Sequence, residues 1–319
     1  MRLPGALGLL LFGSFGCNLI LGLDGLEADR GAGGSGALGS GGDAPTGGSE
    51  QGGGGGCSDT CGSVGCGDCP VTNRVAVSAA GGDYLIDAFE VTTLEYTAWL
   101  ATRPSTQGQG PRCTENDSFI PGEISQFARD AAEALGEPIG DDCTDWLANQ
   151  SPLDQNKAVA CVDWCDAAAY CSWAQGHLCG RIGGGTLDVT SPKQADSNDA
   201  ELSEWYRACS NAGAQQYPYV GSYAAGSCND EDSRIEDVGS KPSCVGGFAG
   251  IFDMSGNAYE WEDACTNYGN PIGQENCVRR GGGYYSPEVD LACALPEDQQ
   301  AGTLPGTPAD GTGFRCCSL

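Results

Sequence analysis

The sequence predicts an α+β domain of short elements set among long irregular loops and stapled by disulfides. Three observations lead there. Cysteine is abundant, with 19 residues against one histidine and two methionines, a usage that belongs to compartments where disulfides persist. Gly, Asn, Asp and Ser crowd the spaces between apolar runs, leaving room only for short regular segments. The segments that can be read are of both kinds, a strand running into a capped helix near residue 90 and a second helix near residue 165.

Tyr84 to Phe89 alternates as a strand does. It leads into Thr92-Thr93-Leu94-Glu95, a capping box with Thr92 at the N-cap and Glu95 three residues on. Leu94, Ala98 and Trp99 are expected to bury one face of a helix that stops before Arg103-Pro104. Tyr96 and Trp99 read as core aromatics. The second helix spans Asp163 to Ala174, capped by Asp163, with acidic Asp166 in the first turn where the helix dipole favours it.

Ahead of this body lie three different stretches. Residues Leu3 to Leu23 carry no charge and follow Arg2, with an apolar run from Ala6 to Phe12. The expected reading of 1–17 is a signal peptide, with Gly16 before the cleaved bond and Cys17 receiving the lipid of a lipoprotein. An uncleaved spanning helix is the competing reading, and the five glycines of the stretch argue against it. Residues 18–56 form a Gly/Ser-rich tether with a random-coil reach on the order of 35 Å. Residues 57–74 hold Cys57, Cys61, Cys66 and Cys69, expected to form two local disulfides in a stapled stalk. Zinc at the Cys66-x-x-Cys69 pair is the alternative. Removing Cys17 leaves 18 cysteines, an even number that can pair fully. The chain is thus expected to be exported and lipid-anchored in a bacterial cell envelope, in the periplasm or at the cell surface.

The formal charge of −28, from 15 basic and 43 acidic residues, excludes nucleic acid as a partner and makes anionic lipid headgroups a poor one. Contact with the membrane is therefore expected only through the N-terminal anchor. His177 cannot build a multi-histidine metal site alone and reads as a surface residue. Arg280 and Arg315 read as buried partners of carboxylates.

Several segments recur in one order: Asp87-Ala88-Phe89-Glu90-Val91-Thr92, Glu204-Trp205-Tyr206-Arg207-Ala208, Tyr217-Pro218-Tyr219, Asp253-Met254-Ser255-Gly256-Asn257, Glu260-Trp261-Glu262, Arg280-Gly281-Gly282-Gly283 and Gly313-Phe314-Arg315-Cys316. Together they resemble the formylglycine-generating enzyme, or sulfatase-modifying factor, family over residues 75–319. The resemblance implies a compact, irregular fold related to C-type lectins. It also implies calcium, held by backbone carbonyls and one carboxylate at Ser255, Gly256, Ala258 and Glu260, with a second, looser match at Asn229 and Asp230. Calcium asks for six to eight hard oxygens, which a tight Gly-containing turn can aim inward.

Catalytic members of that family use two cysteines to bind copper(I), a soft ion suited to thiolates. Matched residue by residue, those positions are Ser286 and Leu291 here. Cys293 is the one nearby cysteine that stands in for the second, and nothing stands in for the first. Cys316-Cys317 reads as two separate structural bridges, one of them to Cys293. The resulting expectation is a non-catalytic recognition domain for a protein or glycan ligand, with the loops Ser105 to Asp142 and Pro287 to Asp310 as its binding face. An oxidase with a non-standard cysteine pair and copper is one alternative. A purely structural envelope lipoprotein is the other.

Overall fold

The computed structural model describes residues 57–126, 129, 130, 133, 143, 146–189, 193–266, 275–295, 305–308 and 311–319. The predicted signal peptide, Cys17 and the tether lie outside the described residues, as do parts of both predicted binding loops. Everything described belongs to one unit, Gly53–Leu319.

β1 (Arg74–Val77) and β2 (Tyr84–Asp87) form a hairpin that leads into α1 (Thr93–Ala101). The capping box is present: the Glu95 amide donates to Thr92 Oγ1 at 3.2 Å, and the Thr92 amide donates to Glu95 Oε2 at 2.9 Å. The buried face differs from expectation. Thr93, Tyr96 and Trp99 point inward while Leu94 and Ala98 are exposed. In so short a helix the two aromatics, with far more apolar area than Leu and Ala, decide which side turns to the core.

α2 (Trp164–Trp173) is capped by Asp163, whose Oδ1 accepts from the Asp166 amide at 2.8 Å. β3 (His177–Leu178) and β4 (Leu187–Asp188) follow, then α3 (Glu204–Cys209). The long strand β5 (Tyr259–Thr266) pairs with β6 (Asn276–Arg280), and β7 (Thr312–Gly313) and β8 (Cys316–Ser318) close the chain of elements.

Two sheets result. The first is antiparallel in the order β1-β2-β8-β3, so β8 is gripped on both sides by strands more than a hundred residues earlier. In the second, β5 lies between β4 (parallel) and β6 (antiparallel), and β7 also pairs with it in parallel. Between α1 and α2 sits an aromatic core of Tyr96, Trp99, Tyr170, Trp173 and Phe314. Tyr170 packs edge-on to Trp99 at 5.6 Å and to Phe314 at 5.4 Å. Such pairs contribute about 0.5–1.5 kcal/mol beyond area burial.

All 18 cysteines from Cys57 onward are paired, in nine disulfides. Cys57–Cys66 and Cys61–Cys69 are the two local bridges expected, which leaves no zinc site there. They staple no free stalk, however. Cys57, Cys61 and Cys66 are buried in the aromatic core cluster, and the Cys61 amide donates to the Trp173 carbonyl. The Trp173 indole in turn donates to the Cys66 carbonyl at 2.9 Å. Residues 57–69 are therefore a cap docked on the ends of α1 and α2. Cys316 and Cys317 make separate bridges as expected, but to Cys171 and Cys179 rather than to Cys293. Adjacent positions on β8 face opposite ways, so each finds its partner on its own side of the sheet. Among the described residues no helix is long and apolar enough to cross a membrane. Disulfides at this density mark a domain of an oxidising, extracytoplasmic compartment.

Candidate functional site

The recurrent motifs meet in one buried lattice. Arg315 donates to both Glu260 oxygens, from Nη2 at 2.6 Å and from Nε at 2.7 Å, and also to the carbonyls of Asp87 and Phe252. Arg280 pairs with Glu262 at 2.5 Å and reaches the Cys293 carbonyl at 3.0 Å. Glu90 accepts two bonds from Asn257 Nδ2 and one from the Ala258 amide. One carboxylate thus ties the segment before α1 to the turn before β5. These side chains are all but fully buried, so each charge needs its partner. The expected role of Arg280 and Arg315 is what the structure displays. Burial, with Asp253 and Glu260 nearby, holds the Glu90 carboxyl well above the usual range.

Next to this lattice lie Ser286 and Leu291, the two positions that the resemblance matches to catalytic cysteines. The Ser286 hydroxyl donates to Tyr259 Oη at 2.8 Å, and Tyr259 donates to Asp290 Oδ2 at 2.8 Å. The Gly283 amide donates to Ser286 Oγ at 2.8 Å. Burial pushes the Tyr259 phenol up to about 12, so it serves as a hydrogen-bond relay and not as a base near neutrality. Leu291 is 1 % exposed, and a Cβ added at Gly282 would lie 2.9 Å from its Cδ2. Position 282, at φ +69°, thus favours glycine, since a side chain there would be strained and would press on Leu291.

Cys293, the candidate stand-in, is fully buried and bridged to Cys209. It offers no thiol, which corrects its expected availability. The segment from Glu288 to Leu291 folds as a 3-10 turn that brings Asp290 to Tyr259. The Ser286–Tyr259–Asp290 chain was not foreseen, and the four-residue spacing of Ser286 and Asp290 is its only local trace.

His177 is not a plain surface residue. Its Nε2 lies 3.0 Å from Glu204 Oε2, a carboxylate that is itself fully buried. The Gly180 amide also donates to Glu204. Of the described His, Cys, Asp and Glu side chains, only Cys179, Glu204 and Cys317 cluster as metal ligands do, and the two cysteines are bonded to each other.

The fit to calcium differs between the two expected sets. In the first, Glu260 is the only carboxylate, and both its oxygens are held by Arg315, with the Trp205 indole on Oε2. Ser255 Oγ donates to the Leu291 carbonyl. The set Ser255, Gly256, Ala258 and Glu260 does not fit a dication beside that guanidinium. In the second set, Asn229 Nδ2 donates to the Arg234 carbonyl and to Asn257 Oδ1, two acceptors that fix the amide's orientation. Its Oδ1 is then buried without a partner. An orphaned carbonyl oxygen fits a hard cation, while Asp230, next in sequence, accepts from the Gly226 amide at 2.9 Å. The structure also brings the two sets together: an added Cβ at Gly256 would lie 2.3 Å from the Asn229 carbonyl oxygen.

Among solved structures the chain is similar to Treponema denticola variable protein 1, at 17 % identity and a TM-score of 0.38, over 78 % of this chain and 92 % of that one. It is also similar to CarF, at 18 % identity and a TM-score of 0.39, over 74 % and 86 %. No curated protein matches. The model of the sulfatase-modifying factor enzyme 1-like domain matches residues 72–318. With the motif lattice spanning that same stretch, the chain belongs to the sulfatase-modifying factor enzyme 1-like family.

Proposed function

We propose that the protein is a membrane-tethered, extracytoplasmic member of its family that recognises a ligand and does not catalyse cysteine oxidation. The observation that carries this reading is the fate of the two cysteine positions, a hydrogen-bonded Ser286 and a packed Leu291, with Cys293 locked to Cys209. Copper(I) chemistry of this kind needs two thiolates at one place. The Cys17 lipid and the Gly/Ser tether hold the body at the envelope surface on a flexible leash. A structural calcium ion belongs to the proposal at Asn229 and Asp230 and not at Glu260.

Two assays test the reading. The exported full chain is incubated with copper(I), oxygen and a cysteine-containing sulfatase-type peptide, and aldehyde formation is followed by mass spectrometry. The expected result is no conversion, and aldehyde product would overturn the recognition reading. In parallel, radiolabelled fatty acid should enter the wild-type chain and not Cys17→Ser, which should move to the soluble fraction. Equal labelling of both would remove the lipid anchor.

A further inference from the structure

The cap of residues 57–69 lies outside the family-matched stretch and borders a cavity of about 740 Å3. Its walls come chiefly from the cap itself, the loop from Pro104 to Cys113 and the outer face of α2, with Trp99, Phe119 and Glu275 completing the lining. The volume falls within the ~300–1,000 Å3 of small-molecule sites. It is separate from Ser286 and Leu291, neither of which lines it.

The chemistry of the walls narrows the occupant. Trp164 and Trp173 supply aromatic edges to the cavity over the fully buried Trp99, and their indole N–H groups are already spent on the carbonyls of Glu262 and Cys66. What these two rings offer a ligand is therefore ring surface and not hydrogen bonds. Arg112 stacks on Trp164, with its Cζ 5.3 Å from the ring centroid, and forms an ion pair with Glu275 at 3.4 Å. The ion pair is made by Nε, which is buried. Hydroxyls and amides line the rest, Ser105, Gln107 and Ser172 among them.

Other ligand classes fit poorly. A cationic ligand would meet the like charge of Arg112 in the lining. An acidic one would meet Asp59, Glu275 and the charge of −28 carried by the whole chain. A peptide strand finds no sheet edge, since the walls are loop and helix. A neutral sugar satisfies both halves of the lining. Its C–H face packs on an aromatic ring, whose face carries partial negative charge. Its hydroxyl edge can pair with the amides and hydroxyls of the lining.

We propose that the cavity beside the cystine cap, lined by Trp164, Trp173 and the loop from Pro104 to Cys113, binds a neutral oligosaccharide. The assignment rests on the recognition reading and names its ligand class.

The test uses the exported full chain on an array of neutral oligosaccharides of the gluco-, manno-, xylo- and chito- series, with hits titrated by intrinsic tryptophan fluorescence. Two variants accompany it. Ala169→Trp fills the cavity from a half-buried helix position, and Ser172→Trp narrows its mouth from an exposed one. The expected result is at least one series bound with Kd of about 1 mM or tighter and weakened about tenfold or more in Ser172→Trp. Near-UV circular dichroism confirms the fold of each variant, and the exposed position keeps the test alive if Ala169→Trp misfolds. A blank array, or binding unchanged in a folded Ser172→Trp, overturns the saccharide assignment alone. Aldehyde formation in the copper assay would overturn the recognition reading beneath it.

Discussion

Two regions of this molecule are held together in opposite ways. The motif lattice joins Glu90, Glu260, Glu262, Arg280 and Arg315 through buried charges and hydrogen bonds, from segments scattered over more than two hundred residues. The cap is held by two local disulfides and a few backbone bonds to Thr102, Ser105 and Trp173. The lattice lies within the stretch that marks the family, and the cap lies before it. The comparison teaches that the loudest motifs in the sequence specify architecture. The cap, outside the matched stretch, contributes one wall of a pocket.

The sharpest way to test that division is through the disulfides. Replacing both pairs, Cys171–Cys316 and Cys179–Cys317, by Ala opens closures of sequence separation 145 and 138 together, for which chain entropy predicts a loss of about 5 kcal/mol. Opening Cys57–Cys66, of separation 9, should cost under about 3 kcal/mol and leave the body folded. Urea titration monitored by tryptophan fluorescence measures both. Equal losses would mean that the cap is as integral as the lattice.

Next in size is Arg315→Leu, which strands Glu260 in the interior and should destabilise by about 3–5 kcal/mol. A loss under about 1 kcal/mol in the same titration would show that the lattice carries less of the fold than its burial implies.

A third effect is expected from pH. Burial raises the Asp163 carboxyl from 3.8 to about 7 and that of Asp253 to about 6. Between the unfolded and folded values the native state holds the extra proton, so stability falls as pH rises through that window. The melting temperature should accordingly be higher at pH 5 than at pH 8, and Asp163→Asn should flatten the slope. A wild-type melting temperature that rises with pH over this range would contradict the assignment. The smallest effect is Thr92→Ala, which removes the cap of α1 and should cost about 1 kcal/mol by thermal melt.

What the sequence made legible was local or chemically forced. The Thr92 and Asp163 caps follow from spacing alone, and a buried arginine in an acidic domain has few alternatives to a carboxylate. Tyr96 and Trp99 were read correctly as core, while Leu94 and Ala98 were wrongly given a buried face because residue spacing does not weigh the larger area of the aromatics. His177 was misread because Glu204, its partner, stands 27 residues away on another element. The partners of Cys293, Cys316 and Cys317 were out of reach for the same reason: parity counts pairs without assigning them. The docking of the cap depends on carbonyl acceptors at Thr102 and Trp173, which have no side-chain signature at all.

The position of β8 has a consequence for how the chain matures. Cys171–Cys316 and Cys179–Cys317 cross one another, and both wait for a strand synthesised long after their first members. Cysteines oxidised in order of emergence would pair with near neighbours, such as Cys171 with Cys179, and trap the wrong isomer. Reaching the native set requires reshuffling, which takes seconds to hours depending on oxidant and isomerase. Yield in a host should therefore follow its isomerase capacity more closely than its oxidising strength.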